Sequence, residues 1–243
     1  MRATQWEFRY RFSIISSFFI VGFLAPWLFL LRDGPRSTTW LWLSFQLSQS
    51  GWVDLSTATI VVTSAAILSA ALGAWLRFWG SAYLGAATVH SNQMHAIEVM
   101  DAGPFAHLRN PLYVGAFFTM LAISILMPPS GAAFCIAAYV IFIARIIGVE
   151  KAFLTEQIGP AYTAYCKHVP AVLPKLFAKK SALRLKPEWL RSLFDEFFGI
   201  AVTACFAIFA WRYNAQIMTR AMIICFGGFL ILRAIFPPPR HDE

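Results

Sequence analysis

Charge is what this chain has least of. Only 13% of its 243 residues are Asp, Glu, Lys or Arg, about half of what a soluble domain of this length carries. Just 12 are acidic, so any site that needs a carboxylate has few candidates. The four cysteines, Cys135, Cys166, Cys205 and Cys225, show no paired spacing, which leaves neither a disulfide frame nor a zinc site. With five histidines, His90, His95, His107, His168 and His241, the chain has too few for the histidine boxes of a di-iron desaturase or hydroxylase. No internal repeat, low-complexity linker or groove-sized basic element is present, and nucleic acid is not an expected partner. The basic N-terminus leads into an apolar run that is too long for a signal peptide and ends in "LFLLRDG", without a small-x-small site. It reads as an uncleaved first span.

What is abundant is apolar. Hydrophobic residues make up 58% of the chain and the mean hydropathy is +0.61, the profile of an integral membrane protein. Six apolar runs stand out, at roughly 12 to 31, 55 to 76, 112 to 127, 131 to 148, 197 to 213 and 217 to 236. The expected fold is therefore all-α and polytopic, with about six transmembrane helices. The third and fourth runs, 112–127 and 131–148, are separated only by "PPSG" and read as a tight helical hairpin. With both termini on one face, that face collects sixteen of the twenty basic residues and the other receives four. Termini on the cytoplasmic side follow from the enrichment of Lys and Arg in cytoplasmic loops, and the net charge of +8 is accounted for by topology and anionic membrane lipids. The stretch from Lys175 to Arg191, with Trp189 and Leu190, is read as a loop-like interfacial segment rather than an interfacial helix.

"DAGPFAHLRNPLYVG", residues 101 to 115, presses an arginine, an asparagine and a proline against the start of the third run. Asn110 suits an N-cap and Pro111 the first helical position, where its missing N–H would have had no partner. That helix N-terminus, with Arg109 beside it, favours a carboxylate or phosphate. Folding the hairpin about "PPSG" puts residues whose numbers sum to about 259 at equal depth, if both helices rise ~1.5 Å per residue. Arg109 and Glu150 meet that condition, and Glu150 is the one acid at the end of the fourth run. Two readings stay open at this point: a structural ion pair at the membrane edge, or an anion pocket facing a cation pocket, which suits an amino-acid zwitterion.

The same passage, with "EKAFLTEQIGPAYTAYCKHVPAVLP" at 150 to 174, resembles the isoprenylcysteine carboxyl methyltransferase and phospholipid methyltransferase superfamily of membrane enzymes. Gly103, Pro104, Phe105, Arg109, Pro111, Tyr113, Gly115, Glu150, Leu154, Gly159, Tyr162, Tyr165, Val169 and Pro170 match its pattern in order and spacing. "LRFWGSAYLG" at 76 to 85 and His90 look like the segment that precedes it. Asn110 stands where better-known members have His, and Lys151 where they have a second Glu, which leaves the substrate class and any base role open.

The resemblance implies S-adenosylmethionine as cofactor, with Arg109 and Glu150 as the catalytic pair at a cytoplasmic-edge site. It carries cofactor contacts onto Gly103, Pro104, His107, Leu108, Arg109, Asn110, Pro111, Tyr113, Gly115, Glu150, Tyr162, Tyr165 and His168, and acceptor contacts onto Tyr83 and His90. Within that set Gly103 and Pro104 shape a turn, and Gly115 allows close backbone approach. His107 and His90 read as polar loop residues rather than bases. Tyr162 and Tyr165, three apart on one helix face, line the adenosine or substrate opening or else anchor the chain at the interface. The implied partner is a lipophilic small molecule or lipidated substrate, with no metal. The implied location is a multi-pass protein of the bacterial inner membrane. Residues 1–54 are then an N-terminal span and loop, 55–175 the methyltransferase core, and 176–243 a linker, two further spans and a tail. The competing readings are a sterol-reductase-type enzyme using NADPH and a non-enzymatic membrane protein or transporter.

Overall fold

The structure is a computed structural model and is described here for residues 3–24, 37–84, 99–177, 186–212 and 215–235. Among these residues the protein is all-helical. Helix α1 (Gln5–Arg9) is opened by a capping box, in which the Thr4 side chain accepts from the Glu7 backbone and the Glu7 carboxylate accepts from the Thr4 backbone. Tyr10 separates it from α2 (Arg11–Leu24). Then come α3 (Thr39–Gln49), α4 (Leu55–Leu84), a single 3-10 turn at Gly103–Ala106, α5 (Pro111–Ser124), α6 (Pro129–Ile158), α7 (Pro160–His168), α8 (Trp189–Asp195), α9 (Phe197–Arg212) and α10 (Ala215–Ile235).

Five of the six apolar runs contain a helix that nearly fills them, and α2 occupies the remaining run as far as Leu24, beyond which it lies outside the described residues. The 30-residue helices α4 and α6 are long and apolar enough to cross a membrane, with mean hydropathies of 1.9 and 2.3. Helices α2, α5 and the Phe197–Ile208 part of α9 are apolar but shorter. Leu68 on α4, Ile141 on α6 and Ile224 on α10 are 64–73% exposed. Apolar surface on several helices at once is costly in water and suits hydrocarbon.

The hairpin is present with its turn moved. It occupies residues 125–128, Pro128 is the N-cap of α6 and Pro129 its first helical residue, so Ser130 and Gly131 belong to the helix. Two consecutive prolines fit there because the first turn of a helix needs no N–H from them. At the other end α6 runs ten residues past the expected 148, and α4 runs through "LRFWGSAYL" to Leu84. Amphipathic ends of this kind extend a helix beyond its apolar run. Helix α3 is unannounced by the hydropathy reading; Thr38 caps it, and Trp40 Nε1 donates to Thr63 Oγ1 at 2.9 Å. Within the stretch read as a loop, α8 begins at Trp189 and is held to α4 by Ser192 Oγ donating to Phe78 O at 2.6 Å.

Close packing sets the depth of each helix. A Cβ on Gly115 would lie 2.8 Å from Gly73 O, and Gly22 and Gly131 touch backbone to backbone. Thr39 N and Trp40 N donate to Met127 O and Ile125 O, both at 2.7 Å, so α3 closes the turn end of the hairpin. The opposite end gathers Arg11, Arg77, Arg109, Glu150 and Glu196.

Candidate functional site

The two motif blocks meet because their backbones run side by side in opposite directions. Arg109 N donates to Pro170 O at 2.9 Å, and Lys175 N donates to His107 O at 2.9 Å. Asn110 Nδ2 donates to Ala171 O at 2.8 Å, and His107 Nδ1 lies 2.7 Å from Lys175 O. Tyr165 OH adds a bond to Phe105 O at 2.7 Å. Gly159, with φ of 72°, ends α6 and lets Pro160 start α7 in a new direction, which turns Tyr162 and Tyr165 back toward the first block.

Asn110 stands at the N-cap position of α5, but its side chain makes no capping bond. The amide is spent on Ala171 instead, and the helix start is defined by Pro111 alone. His107 is likewise engaged, its ring 6.0 Å from that of Trp79.

Above this seam opens a cavity of about 620 Å³, within the size range of small-molecule sites. Arg109, Asn110, Pro111, Tyr113, Glu150, Tyr162 and Tyr165 all line it. Arg109 and Glu150 thus face one space, yet they do not pair with each other. Arg109 Nη1 donates to Cys166 Sγ at 2.8 Å, and its Nε is buried without a partner. Glu150 Oε1 accepts from Tyr113 OH at 2.6 Å, and Tyr139 OH donates to Tyr113 O at 2.9 Å. Equal rise along the two helices brings the two charges to the same end of the hairpin. They take other partners because Arg109 precedes α5 and is drawn by its backbone bond to Pro170 toward α7.

Burial pushes Tyr162 up to about 12, with Cys166 adding to the rise and Arg109 opposing it. Tyr165 is raised by the same burial. Both remain neutral phenols at physiological pH and serve as aromatic walls. Phe105, Phe153, Leu154 and Ile158 extend that wall.

The other expected site residues lie off the cavity. Gly103, with φ of 57°, packs against the Tyr83 ring, which itself stands edge-on to Trp189 at 6.3 Å. Pro104 and Leu108 are buried under the seam, Gly115 is occupied by its contact with α4, and His168 is exposed in the last turn of α7. His90 lies outside the described residues.

Two groups on the cavity wall, Arg77 and Arg11, and one behind it, Cys166, escaped the sequence reading. Arg77 on α4 makes a two-pronged bond to Glu196, with Nε to Oε2 at 2.6 Å and Nη2 to Oε1 at 2.9 Å. Cys166 sits within the second motif block but reads there as an ordinary loop thiol. Arg11 on α2 is 5% exposed and shares the wall with Phe8, Phe12, Ile15 and Phe19. Its signal was present, since Arg11, Phe12, Ile15 and Phe19 fall at helical spacing on one stripe.

An anion-binding requirement fits this site on structural grounds. The Arg109 guanidinium belongs to the cavity wall and its Nε is buried without a partner, and leaving such a group unpaired is costly. A carboxylate and aromatic side chains lining the same cavity complete what a methionine zwitterion joined to an adenosine needs.

Comparison with known families agrees with the resemblance read from the sequence: residues 61–161 match the phospholipid methyltransferase family. The match spans α4 from its second turn through α5, α6 and the start of α7, and with the long apolar helices it supports a methyltransferase with a membrane location. No curated protein and no solved structure matches the chain.

Proposed function

We propose that the chain transfers a methyl group from S-adenosylmethionine to a lipophilic acceptor at the cytoplasmic edge of a membrane. The observation that carries this reading is a single cavity lined by both Arg109 and Glu150, unpaired with one another, that continues into apolar side chains of α2, α5 and α9. Arg109 would hold the cofactor's carboxylate through its guanidinium. Glu150, kept in place by Tyr113, would accept the ammonium. Phe105, Tyr162 and Tyr165 would enclose the adenine.

When bound, the cofactor supplies a methyl group already activated by its sulfonium for in-line displacement. The chain's own residues then have to align two partners and keep water out. Arg109 and Glu150 fix the donor at two points. The apolar stretch formed by Ile15, Phe19, Ala116 and Ile123 excludes water and would receive the acceptor's body. A carboxylate acceptor needs no base, whereas an ammonium must first lose a proton. The absence of a second acid at Lys151 therefore favours an acceptor that is already nucleophilic.

Six crossings, with both termini and the site cytoplasmic in a bacterial inner membrane, are part of the same reading. The sixteen-to-four division of basic residues supports it. In a variant lacking native cysteines, a cysteine at Lys167 should react only with reagent admitted to the cytoplasm, and one at Trp52 only from outside. Labelling of both from one side would reject the topology.

The deciding experiment incubates membranes and purified protein with methyl-labelled S-adenosylmethionine. Label in the organic-extractable fraction supports the proposal. Label confined to water-soluble molecules, or binding of NADPH in place of S-adenosylmethionine, rejects it.

A further inference from the structure

Past the seam, the chain turns apolar side chains outward. Leu173, Leu176 and Phe177 are 78–86% exposed, and Leu190 on α8 is 73% exposed. Residues 172–177 form neither helix nor strand. Backbone of that kind is kept out of the hydrocarbon core, because it lacks the internal hydrogen bonding of a helix, whereas such side chains are costly to leave in water. Headgroup depth satisfies both demands.

The two exposed patches are joined by a file of rings. Lys175 N is bonded to His107 O, and the His107 ring lies 6.0 Å from that of Trp79. Trp79, Trp75, Phe78 and Trp189 then follow ring to ring at 5.3–6.2 Å. Trp75 and Trp189 are themselves exposed, as tryptophans at a membrane interface are. Helix α8 is turned by two bonds to α4, Glu188 N to Ala82 O at 2.8 Å and Ser192 Oγ to Phe78 O, so Leu190 and Phe194 stand on its outer face.

Charge decides which kind of interface fits. Lys167, Lys175, Lys186 and Arg191 are exposed, opposed by the exposed Glu188. From Lys167 to Arg191 the sequence holds seven basic residues and one acid. Zwitterionic headgroups offer this stretch no net attraction, whereas an anionic leaflet strengthens attachment about fivefold for each Lys or Arg near it.

We propose that residues 172–177 and the outer face of α8 dock on the anionic headgroup layer of the leaflet at the cavity end, and that docking holds the seam closed. The connection is short. Ala171 O accepts from Asn110 and Lys175 N donates to His107 O, on either side of the exposed Val172 and Leu173. Pinning this segment at the headgroups limits its separation from residues 107–110, and so fixes Arg109 at the cavity. On the methyltransferase reading above, on which this last step rests, cofactor affinity then depends on the lipid.

The experiment compares the full chain in nanodiscs of phosphatidylcholine with nanodiscs in which one lipid in three is phosphatidylglycerol. Hydrogen exchange at the Arg109 and Lys175 amides, read by mass spectrometry, should be about fivefold slower in the anionic discs, the effect of one basic residue brought to an anionic surface. Lys175→Gln combined with Arg191→Gln should remove most of that difference, since it deletes charge and leaves the backbone bonds in place. In the variant lacking native cysteines, a bimane on Phe177→Cys should be quenched by lipid carrying a nitroxide just below the headgroup. S-adenosylhomocysteine should bind about fivefold more tightly in the anionic discs, because coupling between two binding events is reciprocal. Equal exchange in the two lipids overturns the inference, as does a difference that survives the double substitution. An unquenched bimane overturns it as well, by showing that the chain itself or a second copy covers the patch. Equal affinity for S-adenosylhomocysteine in the two lipids overturns the coupling to the cofactor. Failure to bind S-adenosylhomocysteine in either lipid, with the exchange difference intact, rejects the methyltransferase reading alone and leaves the docking surface standing.

Discussion

Two arginine–glutamate sets border the same cavity and are used in opposite ways. On the α4–α9 side, Arg77 and Glu196 close into a two-pronged bond at 2.6 and 2.9 Å, and Arg77 Nη1 reaches Leu112 O at 3.5 Å. On the α5–α6–α7 side, Arg109 and Glu150 are held apart by other partners, Cys166 and Tyr113. A paired set is self-sufficient and ties helices together. A separated set keeps its electrostatic demand for something that arrives from outside. The pairing state of a buried charge, rather than its presence, tells scaffold from site.

The comparison is broken most directly at the closed pair. Glu196→Gln should lower stability by about 3–5 kcal/mol, because it leaves the buried Arg77 charge uncompensated; thermal unfolding in detergent would read it. Replacing both partners with Met should recover much of that loss, and a double variant as unstable as the single would contradict a purely structural role. At the open set the loss should move from stability to binding. Glu150→Gln is expected to weaken S-adenosylmethionine binding by about 2–5 kcal/mol, the scale for removing one side of a desolvated charge contact. Its unfolding midpoint should stay near that of the wild type.

Arg109→Ala should weaken the same binding by a comparable or slightly smaller amount, since helix α5 still presents its free N–H groups. If Glu150→Gln and Arg109→Ala both destabilise the protein and bind the cofactor normally, the two sides of the cavity are alike and the distinction fails. The smallest effect belongs to the seam between the motif blocks. Tyr165→Phe removes one bond to Phe105 O and should cost about 1 kcal/mol, seen as a modest rise in the dissociation constant of S-adenosylmethionine.

Much of this was legible in the sequence because the relevant signals are periodic or local. Apolar runs located the long helices, and Pro111 located the start of α5. Arg109 and Glu150 could be brought to one end of the hairpin from a rise per residue alone. Non-local hydrogen bonding was not legible. Nothing in "RNP" says that Asn110 will donate to Ala171 rather than cap its own helix, and nothing in "YCK" says that Cys166 will accept from Arg109. Arg11 was passed over for a different reason: near a chain terminus, a basic residue before an apolar run is what topology alone would put there. Only the approach of α2 to α6 turns it inward. Helix α3 escaped because its eleven residues include five polar ones, which lower its hydropathy, although Thr38 is an ordinary capping residue.

The antiparallel seam between residues 107–110 and 170–175 also governs when the site can exist. It joins positions more than sixty residues apart, and everything between them is a loop that the seam closes at its base. On a growing chain, Arg109 emerges well before Pro170 and Lys175, by about 3 to 13 s at about 5 to 20 residues per second. During that interval the hairpin can insert while its pocket is still missing one side. On the proposed function, cofactor capture would wait until the hairpin has been delivered to the membrane, and a nascent chain halted shortly before residue 170 is expected to be inserted yet unable to bind S-adenosylmethionine.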